Sequence, residues 1–272
     1  MIHLQNIKRF LFIVCFSIFT ASCKKDKLSN LGISKKFDIT STHTGTTYTM
    51  TVFYPDENFP TTPTPIIYLM DGFWYGNMVA KQITDLTNEG SMPKCILVSL
   101  DYKSGAGVYD RAPDLQYPGD GIDSKAKGDQ FFQFLKTELI PAVETDYPSD
   151  TTQRTIIGHS LGGFFVLYSL LDNVSHPLFN KIIAASCSLG LGKDNMIFQK
   201  EIQVAASTTD IKATIFIGSG TLVGNSPAMH QEFFNRLKNR NYPNLKIDFA
   251  LYNETHGTDA YPTFLNGLKF IF

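Results

Sequence analysis

The chain has 272 residues, 43% of them apolar and 18% charged, which is ample for the buried core of one large domain. Its formal net charge is −1 and its basic residues are scattered, which excludes a charge-built nucleic-acid surface. The six histidines lack ligand spacing such as H-x-x-x-H with a nearby acid, so no metal or other cofactor is expected.

At the N-terminus, Lys8 and Arg9 precede an apolar run from Phe10 to Phe19. About ten residues cannot cross a hydrocarbon layer about 30 Å thick, so the run reads as an export signal. Thr20-Ala21-Ser22-Cys23 follows and resembles a bacterial lipoprotein signal, with Cys23 lipidated once residues 1–22 are removed. Thr20 stands where leucine is usual, and a plain secretory signal cut near Ala21 is the alternative. Either route exports the protein, and the first anchors it to a membrane on its periplasmic face or at the cell surface. Removing residues 1–22 leaves 22 basic and 25 acidic residues, a net charge of −3. Cys15 departs with the signal, while Cys95 and Cys187 lie in apolar runs and are expected as buried thiols.

Residues 23–35 are polar and lysine-rich and read as a tether, leaving 36–272 as the domain. Lys36–Thr42 and Thr46–Tyr54 alternate as half-buried strands about a turn at Thr44-Gly45. The Thr/Pro segment 61–65 leads into a buried strand at Ile66–Met70. A helix over Met78–Glu89, a strand over Cys95–Leu100 and an irregular stretch from Asp101 to about Lys125 come next. Gly128–Asp146 places Phe131, Leu135, Leu139 and Val143 on one helix face. Strands are expected at Gln153–Ile157, Ile182–Cys187, Ile211–Gly218 and Leu245–Tyr252. Helices are expected at Phe164–Leu171, Ala228–Arg240 and Asp259–Phe272, with a loop and short helix across 188–210. An antiparallel start followed by repeated βα units predicts a mostly parallel sheet with helices on both faces and a site at the carboxyl ends of its strands.

Gly158-His159-Ser160-Leu161-Gly162 has G-x-S-x-G spacing, with a strand-like run before it and an apolar helix-like run after it. On so sharp a turn the serine is strained and its Oγ exposed, which makes Ser160 the candidate nucleophile. Its base is sought after the last strand. His3 lies in the signal, His43 in the N-terminal hairpin, and His176 and His230 in or beside helices, where a surface role is expected. His159 is expected to point away from Ser160 Oγ. His256, on the loop after the last strand, is the candidate base. Two amides should face the developing oxyanion: Leu161, and Phe73 from the loop Asp71–Gly76, with Gly72 permitting close approach. Losing one such donor costs about 10²–10³ in rate.

Tyr68-Leu69-Met70-Asp71-Gly72, Arg111-Ala112-Pro113-Asp114, the Gly158–Gly163 elbow and Thr255-His256-Gly257 occur in the order seen in the "Putative esterase" family. From about residue 36 onward the chain resembles that family, which contains enterobactin and salmochelin esterases, feruloyl and acetyl-xylan esterases and S-formylglutathione hydrolases. The resemblance implies an α/β-hydrolase fold with Ser160 as nucleophile and His256 as base, nearest to the siderophore-esterase branch. Family members often carry a carboxylate after the strand equivalent to Ile211–Gly218, where this chain has Val223. Glu254, Asp259 or uncharged Asn225 could orient His256 instead, or the pair works as a dyad.

Tyr102, Tyr109, Arg111 and Tyr117 of the irregular stretch, with Phe73-Trp74-Tyr75, are expected to border the substrate pocket. Aromatic rings and a guanidinium suit a flat aromatic acyl group or a sugar-bearing ester. Arg111 could equally pair with Asp114, three residues on. The expected activity is hydrolysis of a carboxylic ester, siderophore-esterase-like. The alternatives are a feruloyl or acetyl-xylan carbohydrate esterase, or a weakly active binding lipoprotein on a hydrolase scaffold.

Overall fold

The computed structural model describes residues 26–28, 31–102, 111–119, 122–222, 224 and 226–272. Cys23 and the export signal, Tyr109, Val223 and Asn225 lie outside the described residues. Three antiparallel strands come first: β1 (Asp26–Leu28), β2 (Gly32–Thr40) and β3 (Thr47–Tyr54). Then follow β4 (Thr64–Leu69), α1 (Gly72–Asn88) and β5 (Ile96–Tyr102), the last pairing antiparallel with β3 and parallel with β4. β6 (Ser149–His159), β7 (Lys181–Ala185), β8 (Ala213–Gly220) and β9 (Leu245–Tyr252) extend the parallel sheet. The nine strands run in the spatial order β1-β2-β3-β5-β4-β6-β7-β8-β9. This is the α/β-hydrolase architecture, a mostly parallel sheet with antiparallel N-terminal strands.

Helices cover both faces because the central strands are apolar on both. In β4, Ile66 and Tyr68 enter one core while Ile67 and Leu69 enter the other. The first core takes residues of α2 (Gly128–Phe134), α3 (Ile140–Asp146), α4 (Leu161–Asp172), α5 (Met196–Ser207) and α6 (Ser226–Asn239). The second takes α1 and α7 (Ala260–Ile271). A strand buried on both sides reads as a continuous apolar run, which is why β4 was legible without alternation.

Three elements differ from the sequence expectation. The segment read as a tether joins the sheet: Asp26–Leu28 pairs with Gly32–Ser34, and β2 begins at Gly32. Ile33 packs into the core there. The Gly128–Asp146 helix is interrupted by a π-helical turn at Leu135–Leu139. Pro141 lacks an N–H and would clash with the carbonyl four residues back, and a widened turn relieves both problems. Finally, α1 starts at Gly72 rather than Met78, so the expected Asp71–Gly76 loop is the first turn of a helix. Asp71, at φ 65°, caps it through its carbonyl, which accepts Trp74 N at 3.1 Å and Tyr75 N at 3.2 Å.

β6 ends at His159 and α4 begins at Leu161, leaving Ser160 alone to make the turn. A Cβ on Gly158 would lie 2.3 Å from the Gly162 carbonyl oxygen, so the strand meets the helix only without a side chain. Gly158→Ala is therefore expected to destabilise the protein by about 1–3 kcal/mol through overpacking. Urea unfolding checks this; unchanged stability would mean that the strand–helix approach is slack.

Candidate active site

Ser160 has φ 57° and ψ −115°, outside the ordinary regions for an L-residue. The neighbouring strand end secures it: Ser160 N donates to the Ala185 carbonyl at 2.9 Å, and Ser188 N donates to the Ser160 carbonyl at 3.0 Å. On the helix side, Phe164 N donates to the same Ser160 carbonyl at 2.9 Å. The Oγ donates to His256 Nε2 at 2.9 Å, while Ser188 Oγ approaches it at 3.3 Å. Two residues 96 positions apart thus meet in one hydrogen bond. A cavity of about 270 Å³ opens beside them, lined by Ser160, His256, Ser188, Leu189, Ser226 and Met229.

His256 sits on the loop between β9 and α7. Desolvation lowers its pKa from the ordinary 6.5; His159 and Arg111 push in the same direction, and Asp259 opposes them. Among the described residues no carboxylate forms a salt bridge with His256. Asp259 is fully buried, and its Oδ2 accepts Gly220 N at 2.8 Å and the hydroxyl of Ser186. That places a carboxylate at the end of β8, the strand after which the family often carries its acid, although it comes from a later loop. Its Oδ1 has no hydrogen bond among the described residues and lies 3.6 Å from His159 Nε2. Glu254 contributes through its backbone, accepting Leu222 N at 3.1 Å.

The expected oxyanion donors differ in availability. Leu161 is the first residue of α4, where an amide has no partner within the helix. Phe73 is the second residue of α1, and its amide faces the Asp101 carboxylate, countering the rise in pKa that burial imposes there. Gly72 packs against β5: a Cβ there would lie 2.1 Å from Ser99 Oγ. Phe73 and Trp74 are exposed, and they line a separate cavity of about 270 Å³ with Lys36, Thr51 and Asp101.

Arg111 corrects one expectation and sharpens another. Its partner is Asp71, at 2.6 Å between Nη1 and Oδ1, whereas Asp114 accepts from the Tyr48 hydroxyl at 2.7 Å. Sequence proximity made Asp114 an equal alternative, but the buried Tyr48 reaches it from β3. Asp71 Oδ2 in turn accepts His159 N at 3.3 Å, so the ion pair lies beneath the nucleophile's strand. Burial raises the Asp71 pKa, against the pull of Arg111 and His159. The guanidinium lies 5.2 Å from the Trp74 ring centroid, and its Nε makes no hydrogen bond among the described residues.

Other expectations fail on burial. Tyr117 does not border the site; it is buried, stacked on Phe165 and against Tyr168. Tyr102 contacts Tyr48 edge-on, and its hydroxyl is buried. His230 is fully buried rather than on the surface, with burial lowering its pKa, and its Nδ1 lies 3.2 Å from Ser226 Oγ. Cys95 and Cys187 are buried free thiols, as expected. Burial pushes the Cys95 thiol up to about 12, which makes it unreactive at neutral pH. Sequence reading missed Ser188 and the partners of Asp71. The only available signal was the Asp-Gly pair directly after a buried strand.

The family model described as "Putative esterase" matches residues 41–247. Apo-salmochelin esterase of Escherichia coli O6:H1 is 29% identical over 153 residues, covering 53% of this chain and 47% of that protein. Ferri-bacillibactin esterase BesA of Bacillus subtilis is 30% identical over 166 residues, covering 54% of this chain and 55% of that protein. The chain thus spans about half the length of the curated relatives it matches. The crystal structure of a BES protein from Bacillus cereus aligns with a TM-score of 0.77 at 22% identity, over 88% of this chain and 95% of that one, showing a shared fold.

A general base must be neutral to accept a proton, and the lowered pKa of His256 keeps it neutral into mildly acidic solution. The acidic limb of kcat/KM should accordingly fall below pH 6.5, the ordinary histidine value. A limb at or above that value would show that the ring is solvated or carboxylate-paired in solution.

Proposed function

This chain belongs to the esterase family, and from that premise we propose that it hydrolyses carboxylic esters through Ser160 and His256, with a siderophore ester as substrate. The observation that carries the activity is the 2.9 Å contact between Ser160 Oγ and His256 Nε2 at a strained strand–helix turn. His256 takes the Oγ proton as the oxygen attacks the ester carbonyl, then returns it to the leaving alcohol. Water repeats the sequence on the acyl-enzyme. The Leu161 amide, at the positive end of α4, serves the tetrahedral oxyanion. Phe73 supplies the second donor once its amide turns from Asp101 to the substrate oxygen.

The buried Asp259 raises the His256 pKa without a salt bridge to the ring, so the pair works as a dyad. The siderophore assignment is supported by the two curated relatives, whose names give salmochelin and bacillibactin chemistry. The exposed Trp74 ring offers a stacking face for an aromatic acyl group. Export and lipid anchoring at Cys23 form part of the same reading, supported by the pattern from Lys8 to Cys23. Among the described residues no helix is long and apolar enough to cross a membrane.

The purified chain should hydrolyse p-nitrophenyl acetate, and Ser160→Ala should lower kcat by at least about 10³-fold, since removing a nucleophile removes the covalent route. In a panel of a cyclic catecholate triester, a feruloyl sugar and acetylated xylan, the triester should give the highest kcat/KM. Equal inactivity of wild type and Ser160→Ala on all substrates would reject the esterase reading. Preference for the feruloyl or xylan substrate would reject only the siderophore assignment.

A further inference from the structure

The base in this site lies on an exposed loop. Residues 255–258 are exposed, and His256 has no carboxylate salt bridge among the described residues. Within the loop, Thr255 N donates to Thr258 Oγ1 at 3.0 Å and Asp259 N to the Thr255 carbonyl at 3.1 Å, while Leu222 N on the Glu254 carbonyl and Gly220 N on the Asp259 carboxylate hold its ends to the close of β8. None of these reaches the elbow. A hydrogen bond from nucleophile to base serves catalysis only when both ends are held, because a displacement of about 1 Å can cost 10²-fold in rate.

One side chain makes the connection. His159, the residue before the nucleophile, is only 5% exposed, and its Nε2 contacts the His256 carbonyl oxygen. A carbonyl can only accept, so Nε2 carries the proton and Nδ1 presents a lone pair. The Tyr75 hydroxyl from α1 meets that lone pair at 3.1 Å, which fixes both tautomer and ring plane. The rings of His159 and His256 lie 4.6 Å apart, and the rings of Tyr75 and His159 lie 5.2 Å apart. The nucleophile and this contact to the base's main chain therefore come from consecutive residues at one strand end. A single peptide unit sets the distance between them.

We propose that His159 is a positioning residue for ester hydrolysis, holding the His256 loop against Ser160 through the His256 carbonyl, with Tyr75 fixing its tautomer. The inference rests on the esterase reading and extends it to a residue of the elbow that touches neither substrate nor reacting atoms. It also accounts for how a base with no carboxylate on its ring can stay aligned. The charged and titratable groups facing His256 are His159 from β6, Arg111, Asp259 from the start of α7 and His230 from α6. Of these, His159 touches its backbone.

Steady-state kinetics on the full chain with p-nitrophenyl acetate, normalised to active sites counted by burst titration, test the inference in His159→Ala, His159→Gln and Tyr75→Phe. His159→Ala should lower kcat per active site by about 10–100-fold with little change in KM. Its acidic limb should move upward toward pH 6.5, because removing the neighbouring ring weakens the desolvation that lowers the His256 pKa. His159→Gln keeps an N–H donor of similar reach and should recover much of kcat. Tyr75→Phe should give a smaller loss in the same direction. If His159→Ala does not fold, the glutamine and phenylalanine variants decide the matter by the same two readouts. Unchanged kcat per active site and an unmoved limb, in a background where wild type is active and Ser160→Ala is not, would overturn this inference alone. A loss confined to thermal stability or to the number of titratable sites would overturn it too, by showing a packing role. Inactive wild type would overturn both this inference and the reading beneath it.

Discussion

Ser160 adopts a backbone conformation, φ 57° and ψ −115°, that costs on the order of 1–3 kcal/mol and persists only where the surroundings impose it. The imposition comes from three directions. Gly158 brings β6 to within side-chain-excluding distance of α4, the end of β7 binds the Ser160 amide, and the buried Asp71–Arg111 pair supports the strand from below. The rest of the site follows from that turn. It projects Oγ toward the cavity, starts α4 at Leu161 so that an amide without a helix partner lies beside the nucleophile, and sends the His159 ring the other way, toward the loop that carries the base.

The electrostatics are those of a site that avoids strong pairing at its base. The carboxylate that would sit on a triad histidine is displaced to Asp259, where it is occupied by Ser186 and by the Gly220 amide. The strong ion pair is instead Asp71–Arg111, under the nucleophile. Removing one partner of such a buried pair leaves an uncompensated charge, costing about 3–5 kcal/mol. The chain therefore places its most demanding electrostatic interaction where it fixes the serine and leaves the histidine with a lowered pKa, ready to accept a proton.

Much of this was legible in the sequence because it depends on local periodicity and order. The apolar run at Ile66–Leu69, the glycines around Ser160 and a histidine after the last strand each carry their own signal. What was not legible depends on contacts between distant elements. Arg111 chooses Asp71 over Asp114 because Tyr48, 66 residues away, already occupies Asp114. Tyr117 read as a pocket residue and His230 as a surface one, yet each is buried by neighbours that no window of sequence contains. The start of α1 was missed because Gly72 and Gly76 read as loop residues, whereas they are the small residues that let the helix lie against Ser99. His159 was read only as pointing away from Ser160 Oγ, because the G-x-S-x-G spacing says nothing about what the intervening side chain touches.

The central claim is that folding alone activates one serine among many. Brief treatment of the native chain with a fluorophosphonate, followed by mass spectrometry of the intact protein and its peptides, tests this most directly. The structure predicts one adduct per chain, on the peptide containing Ser160, and none once the protein is unfolded in urea before treatment. An adduct on another serine, or labelling that survives unfolding, would contradict it.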